Sequence, residues 1–138
     1  IQYDDDFKRF NPVAFSQRSK IRDSYWPIDS FGNLAGAIWL GRKQYQKFEH
    51  TYAVRLLERA RGKLTPEGEK LSVVMSRIAI LDYAETYNAE HIWLASDIEL
   101  VGAHKMFKTL GFEAIQNSEK DADGQLKMVL DVDKLRND

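Results

Sequence analysis

The densest set of chemistry-bearing side chains lies in one stretch, where Arg55, Arg59, Arg61 and Lys63 surround Gly62 and Gly68 follows shortly after. On a helix, residues 55, 59 and 63 recur at i, i+4 and i+8 and form a compact basic ridge. On a strand, all four basic residues fall on one side. Either arrangement suits phosphate oxygens, whether of a cofactor or of a nucleic acid. Glu58 and Glu67 dilute the charge, and a solvated face is the plainer reading. Acid–base candidates are few. Glu49, Glu58 and His50 qualify only by lying near the middle of the chain, and each also reads as a solvated surface residue. His91 opens an apolar run and reads as structural, and His104 reads as a packing histidine on a helix. The three histidines are far apart and form no H-x-x-x-H pair, so no metal site is expected. The absence of cysteine removes thiolate ligands, thiol nucleophiles and disulfides together.

These side chains need a scaffold, and the composition provides for one. The chain has 138 residues, 43% of them hydrophobic and 12% aromatic, which are globular values for one domain spanning 1–138. Twenty Lys and Arg against 21 Asp and Glu leave a formal net charge of −1, so no global pull toward nucleic acid or an anionic membrane follows. No apolar run is long enough to span a bilayer and no signal-peptide core opens the chain. The expectation is a soluble, cytoplasmic protein.

Along the chain, Val13–Trp26 reads as a surface helix with a loop. Leu34–Leu40, L-A-G-A-I-W-L, is a continuous apolar run suited to a central strand covered on both faces. Between Arg42 and Leu64 two readings compete. Two strands fit in part, but Tyr45, Phe48, Tyr52, Leu56, Ala60 and Leu64 recur at helical spacing, and Leu-Leu-Glu-Arg-Ala-Arg is helix-forming composition, so a continuous helix is preferred. Thr65-Pro66-Glu67 offers a capped helix start. Leu71, Val74, Met75, Ile78 and Leu81 then form an apolar stripe, widened by Val73, Ile80 and Ala84, for a helix lying on a sheet. His91–Ser96 is a short buried strand, Val101–Leu110 a helix, and Gly111 its left-handed stop. Residues 113–119 and 125–132 form a hairpin around Asp121–Gly124, with Leu126, Met128 and Leu130 alternating.

The stretch from His91 to Phe112, HIWLASDIELVGAHKMFKTLGF, resembles the C-terminal half of the GNAT (N-acetyltransferase) superfamily. The family's helix is written roughly N-x-x-A-x-x-Φ-Y-x-x-x-G-F. Ala103 holds the alanine place, Met106 the apolar place, and Gly111–Phe112 the closing pair. Leu100 stands where the asparagine is usual, and Phe107 where the family often has a tyrosine that protonates the departing thiolate; a phenyl ring has no proton to give. The resemblance covers about the last third of the chain.

That resemblance implies an α/β fold, a central mixed sheet flanked by helices, and a CoA-dependent N-acyltransferase using acetyl-CoA or another acyl-CoA on a small-molecule or macromolecular amine. It also implies a pyrophosphate cradle written Q/R-x-x-G-x-G/A at a helix start, where bare N–H groups face phosphate. Arg59-Ala60-Arg61-Gly62 fits its first four places, and Lys63 follows. Gly68 lies at the next helix start, between the carboxylates of Glu67 and Glu69. The cofactor-binding candidates are therefore Arg59, Arg61, Gly62, Lys63, Gly68, Ala103 and Phe107, and no catalytic residue is assigned. Two strands over 42–64 ending in an open loop would favour CoA binding, and a helix there would count against it. The alternatives are a GNAT-like module that has lost catalysis and binds a protein or nucleic acid, and a transferase that uses another activated donor on a macromolecule.

Overall fold

A computed structural model describes residues 21–25, 36–56, 64, 68–99, 101–118 and 121–137. Three strands come first: β1 (Ile21–Tyr25), β2 (Gly36–Tyr45) and β3 (Phe48–Leu56). Helix α1 (Leu71–Tyr87), strand β4 (His91–Asp97) and helix α2 (Val101–Leu110) follow. The last elements are β5 (Glu113–Ala114), β6 (Gln125–Asp131) and the short helix α3 (Val132–Arg136). The strands form one sheet in the order β1-β2-β3-β4-β6-β5. Every neighbouring pair is antiparallel except β3 and β4, which run parallel.

The apolar run at Leu34–Leu40 is indeed central: β2 pairs with β1 on one side and β3 on the other, and residues 36–41 are all buried. Ile38 and Leu40 enter the main core, and Trp39, 1% exposed, points to the opposite face, as strand alternation requires. The helix preferred over residues 42–64 is not formed. Residues 42–45 end β2, Gln46 and Lys47 turn with Gln46 at φ 52°, and Phe48–Leu56 returns as β3. Pairing runs Tyr45↔Phe48, Arg42↔His50, Leu40↔Tyr52 and Ile38↔Val54. Tyr45, Phe48 and Tyr52 fit a helical period, but His50, Tyr52 and Val54 also alternate, and Thr51–Val54 carries β-branched and aromatic residues that pack well on a sheet. Arg55 is thus a strand residue, which removes the helical ridge through 55, 59 and 63. Ile21–Tyr25 is likewise a strand rather than the end of a surface helix, and the Tyr25 hydroxyl donates to Asp82 Oδ2 of α1 at 2.8 Å.

Helix α1 begins at Leu71, later than the capped start read at Thr65–Glu67, residues that lie outside those described. Leu64 and Lys70 instead form an isolated antiparallel bridge, with Gly68 at φ 86° between them. The buried face of α1 is Val73, Ser76, Ala79, Ile80, Tyr83 and Ala84. The expected stripe is therefore rotated, and Ile78 is 64% exposed. Two polar residues, Ser76 and Tyr83, occupy core positions and disguised that face. Helices α1 and α2 bury their apolar sides in one core with Leu40, Tyr52, Ile92, Leu94, Met128 and Leu130 of the sheet.

Helix α2 ends as read: Gly111 has φ 110°, its N–H donates to Lys108 O, and the Phe112 N–H donates to Phe107 O, both at 3.0 Å. The hairpin beyond it is shorter than expected on its first side. Strand β5 is only Glu113–Ala114, because Asn117 turns left-handed and the Ser118 hydroxyl takes over, accepting from Lys127 N at 3.0 Å and donating to Lys127 O at 3.2 Å. Lys127 is 4% exposed, yet its ammonium is satisfied by Asp121 Oδ2 at 3.0 Å and by Asp123, while the Tyr45 hydroxyl donates to Asp121 at 2.7 Å. This cluster ties the β5–β6 connection to the end of β2.

Two measurements test this description. A Cβ on residue 111 would meet Leu130 Cδ1 at 3.0 Å at a positive φ. Gly111→Ala should therefore lower unfolding stability by about 1–3 kcal/mol in urea denaturation. The Asp121 carboxyl is held below its ordinary value by the Tyr45 and Lys127 hydrogen bonds, and that of Asp123 by Lys127 and the Gln125 N–H. A depressed carboxylate contributes stability above its unfolded value and loses it as pH falls toward its native value. Denaturation midpoints of the native chain should thus drop as pH falls below about 4, with a shallower decline in Lys127→Met.

Candidate functional site

The parallel pair β3–β4 is held together by one register pair, Thr51↔Trp93. The Thr51 hydroxyl reinforces it by donating to Trp93 O at 3.0 Å, and Trp93 is itself fixed by its indole N–H, which donates to Lys43 O at 2.7 Å. Beyond that pair, Tyr52–Leu56 and Leu94–Asp97 have no register pair with each other. Outside that pair the ladder between the two strands is interrupted, which leaves a gap in the pairing at the middle of the sheet. An extended segment can pair with such unpaired strand edges, and a polarised carbonyl can take a backbone N–H there.

Tyr52 supports the gap from the helical side. It is 2% exposed, and its hydroxyl lies 2.7 Å from Ser76 Oγ of α1. Burial pushes that phenol well above its ordinary range, so it stays protonated. Its ring packs against Phe107 and Phe112, with centroids 6.2 and 5.7 Å apart. Phe107, a candidate from the sequence, is thus a buried floor element from α2, and Ala103 is partly buried one turn earlier against the same core. Gly68, another candidate, is exposed just before α1, with open space around its Cα. Arg59, Arg61, Gly62 and Lys63 lie outside the described residues.

The start of α1 is better suited to an anion than its letters suggest. Lys70 is the N-cap, its side chain makes no capping bond, and the first turn holds no acid. Glu69, which reads as a phosphate-repelling carboxylate, is engaged by Arg77 at 3.1 Å. At the C-terminal end of β4, His104 Nε2 lies 3.1 Å from Asp97 O. A carbonyl only accepts, so a proton sits on Nε2, and any lone pair of the ring lies on Nδ1. Sequence reasoning took this residue for packing. Its fixed tautomer depends on a contact seven residues away that no spacing rule reveals.

Of the other acid–base candidates, Glu58 lies outside the described residues, and Glu49 and His50 lie at the opposite end of β3. They line a cavity of about 360 Å³ with Lys47, Phe48, Asn88, Glu90 and His91. The structure does not bring them to the gap. Among the described residues no group of three or more His, Asp or Glu could hold a metal ion, and no helix is long and apolar enough to cross a membrane.

No protein-family profile and no curated protein sequence matches the chain. Solved structures do. A mutant of the spermidine N-acetyltransferase SpeG from Vibrio cholerae superposes with a TM-score of 0.67 at 15% identity, over 99% of this chain and 82% of that one. The ribosomal-protein-S5-alanine acetyltransferase from Vibrio fischeri gives 0.64 at 12% identity, over 93% and 71%. The NatC complex bound to Gag peptide and CoA gives 0.58 at 15% identity, over 94% and 80%. The chain therefore has the GNAT (acyl-CoA N-acyltransferase) fold, a mixed sheet with flanking helices.

The Tyr52–Ser76 contact is measurable on its own. Tyr52→Phe strands the Ser76 hydroxyl in the core and should destabilise by about 1–3 kcal/mol, and Ser76→Ala strands the phenol with a similar loss. The double variant should recover part of the summed loss, giving a favourable coupling in a double-mutant cycle of denaturant midpoints.

Proposed function

We propose that this chain is a cytoplasmic CoA-dependent N-acyltransferase acting on an amine, with acetyl-CoA or a close relative as donor. One observation carries the reading: the parallel strands β3 and β4, in the middle of the sheet, share a single register pair, Thr51↔Trp93, and the ladder is interrupted outside it. The fold that the chain shares with N-acetyltransferases supports it.

The residues present fit the donor. The uncapped start of α1, with Lys70 exposed and Glu69 drawn to Arg77, suits a pyrophosphate, and Gly68 leaves space for close approach. Arg59, Arg61 and Lys63, which precede it in sequence, would add positive charge, and Gly62 a residue without Cβ. The free edge of β3 beyond Thr51 would pair with the amide groups of the pantetheine arm, over a floor that includes Ala103 and Phe107. When bound, acyl-CoA supplies the activated thioester. The chain's part is then to hold the thioester against the strand edge, polarise its carbonyl with backbone N–H groups, and manage one proton. Phe107 cannot carry that proton. His104, with Nδ1 open and Nε2 fixed on Asp97 O, is the group on α2 that can take it from the attacking amine.

Calorimetric titration of the folded chain with acetyl-CoA, CoA and dephospho-CoA tests the proposal. Saturable heat is expected with acetyl-CoA and CoA, weakened by charge reversal at Arg61 and Lys63. A folded sample that gives no heat with acetyl-CoA would mean the fold serves here as a binding scaffold for a protein or nucleic acid.

A further inference from the structure

Strand β4 carries a buried hydroxyl that has no partner among the described residues. Ile92 and Leu94 enter the main core with α1 and α2, while Trp93 joins the separate cluster of Phe48 and Ile115. Alternation therefore puts Ser96 on the helical side of the sheet, with Leu94. Ser96 is 7% exposed, yet its hydroxyl makes no hydrogen bond among the described residues and its oxygen is not sealed from solvent. The other buried hydroxyls are all engaged: Thr51 by Trp93 O, Tyr52 and Ser76 by each other, Tyr83 by His50, and Ser118 by Lys127. A polar group nine-tenths buried and left unsatisfied destabilises the fold, so its retention calls for a role.

Its position supplies one. Ser96 pairs with Leu126 of β6 on one side; on the other it lies three residues beyond Trp93, where β4 has no register pair with β3. It thus borders the interruption in the ladder. The next residue, Asp97, holds His104 through its carbonyl, so the serine also adjoins the anchor of the proposed base.

We propose that Ser96 is a further catalytic residue, whose hydroxyl donates a hydrogen bond to the thioester carbonyl oxygen of the acyl donor in the gap. This assignment rests on the acyltransferase reading. A thioester offers one strong acceptor, its carbonyl oxygen, because its sulfur accepts only weakly. As the amine attacks, the C–N bond forms and negative charge moves onto that oxygen, which strengthens a hydrogen bond already aimed at it. The charge returns as the C–S bond breaks and the electron pair leaves on sulfur. Ser96 keeps its proton throughout, adding one side-chain donor to the backbone N–H groups.

The test compares the native chain with Ser96→Ala and with Ser96→Cys, which keeps the size but donates weakly. Calorimetric titration with acetyl-CoA and CoA should show Ser96→Ala weakening acetyl-CoA by about fivefold while CoA changes little, with Ser96→Cys in between. In infrared difference spectra, the band of carbonyl-labelled acetyl-CoA should lie lower on the native chain than on Ser96→Ala. The urea midpoint of the ligand-free Ser96→Ala chain should equal or exceed that of the native one, since no partner is lost. A lowered midpoint would reveal a structural role and overturn the proposal. So would equal weakening of acetyl-CoA and CoA, which places the hydroxyl on another part of the ligand. Unchanged affinity and an unmoved carbonyl band overturn it while leaving the acyltransferase reading intact. A native chain that binds no acetyl-CoA removes both.

Discussion

The single pairing between Thr51 and Trp93 is the constraint on which the rest of the molecule depends. A parallel strand pair is usually held along its length by evenly spaced hydrogen bonds. Here one register pair, reinforced by the Thr51 hydroxyl, joins two halves of the sheet that are each well paired internally. The β1–β2–β3 half and the β4–β6–β5 half are also joined by the helices on one face and by the Trp93–Lys43 and Tyr45–Asp121 contacts. Helix α1 connects β3 to β4 in the chain and packs with α2 over both. The shared core beneath them holds the two halves together where the ladder is interrupted.

That core is not purely apolar, and its polar members are where sequence and structure disagree. Ser76 and Tyr83 occupy buried positions of α1 because partners on β3 satisfy them: Tyr52 for the serine, His50 for the tyrosine. A buried hydroxyl without a partner is destabilising, and one with a partner fixes register. These two contacts place β3 against α1 at two points one strand-step apart, on the same strand whose far edge forms the gap. An apolar stripe search over Leu71–Leu81 finds the wrong face, since it counts Ile78 as core and Ser76 as surface.

Legibility followed the same division. Central strand β2, strand β4, helix α2 with its Gly111 stop, and the alternation of β6 were all readable, because each has one dominant local signal that burial reinforces. Residues 42–56 were not, since Tyr45, Phe48 and Tyr52 satisfy two periods at once and the helix-forming letters just beyond them tip a local reading the wrong way. The deciding factor is pairing with β2, which no window within the segment contains. Of the residues proposed for the site, Ala103 and Phe107 entered through the wording of one motif. Thr51, Tyr52 and His104 were missed, because their significance comes from Trp93, Ser76 and Asp97, each a contact outside any local pattern.

The two ends of β3 present different groups. At its C-terminal end the unpaired edge offers backbone donors and acceptors, and the nearby side chains are a protonated phenol, a phenyl ring and an alanine. That end is suited to aligning an extended polar ligand and excluding water. At its N-terminal end the backbone is closed by a tight turn through Gln46, and chemistry is left to side chains: two carboxylates and a neutral imidazole. The first end presents main chain, which most substitutions leave intact, whereas the second presents a few exposed side chains. An edge built from backbone does not depend on the side chain at position 107, where Phe107 is simply part of the buried core.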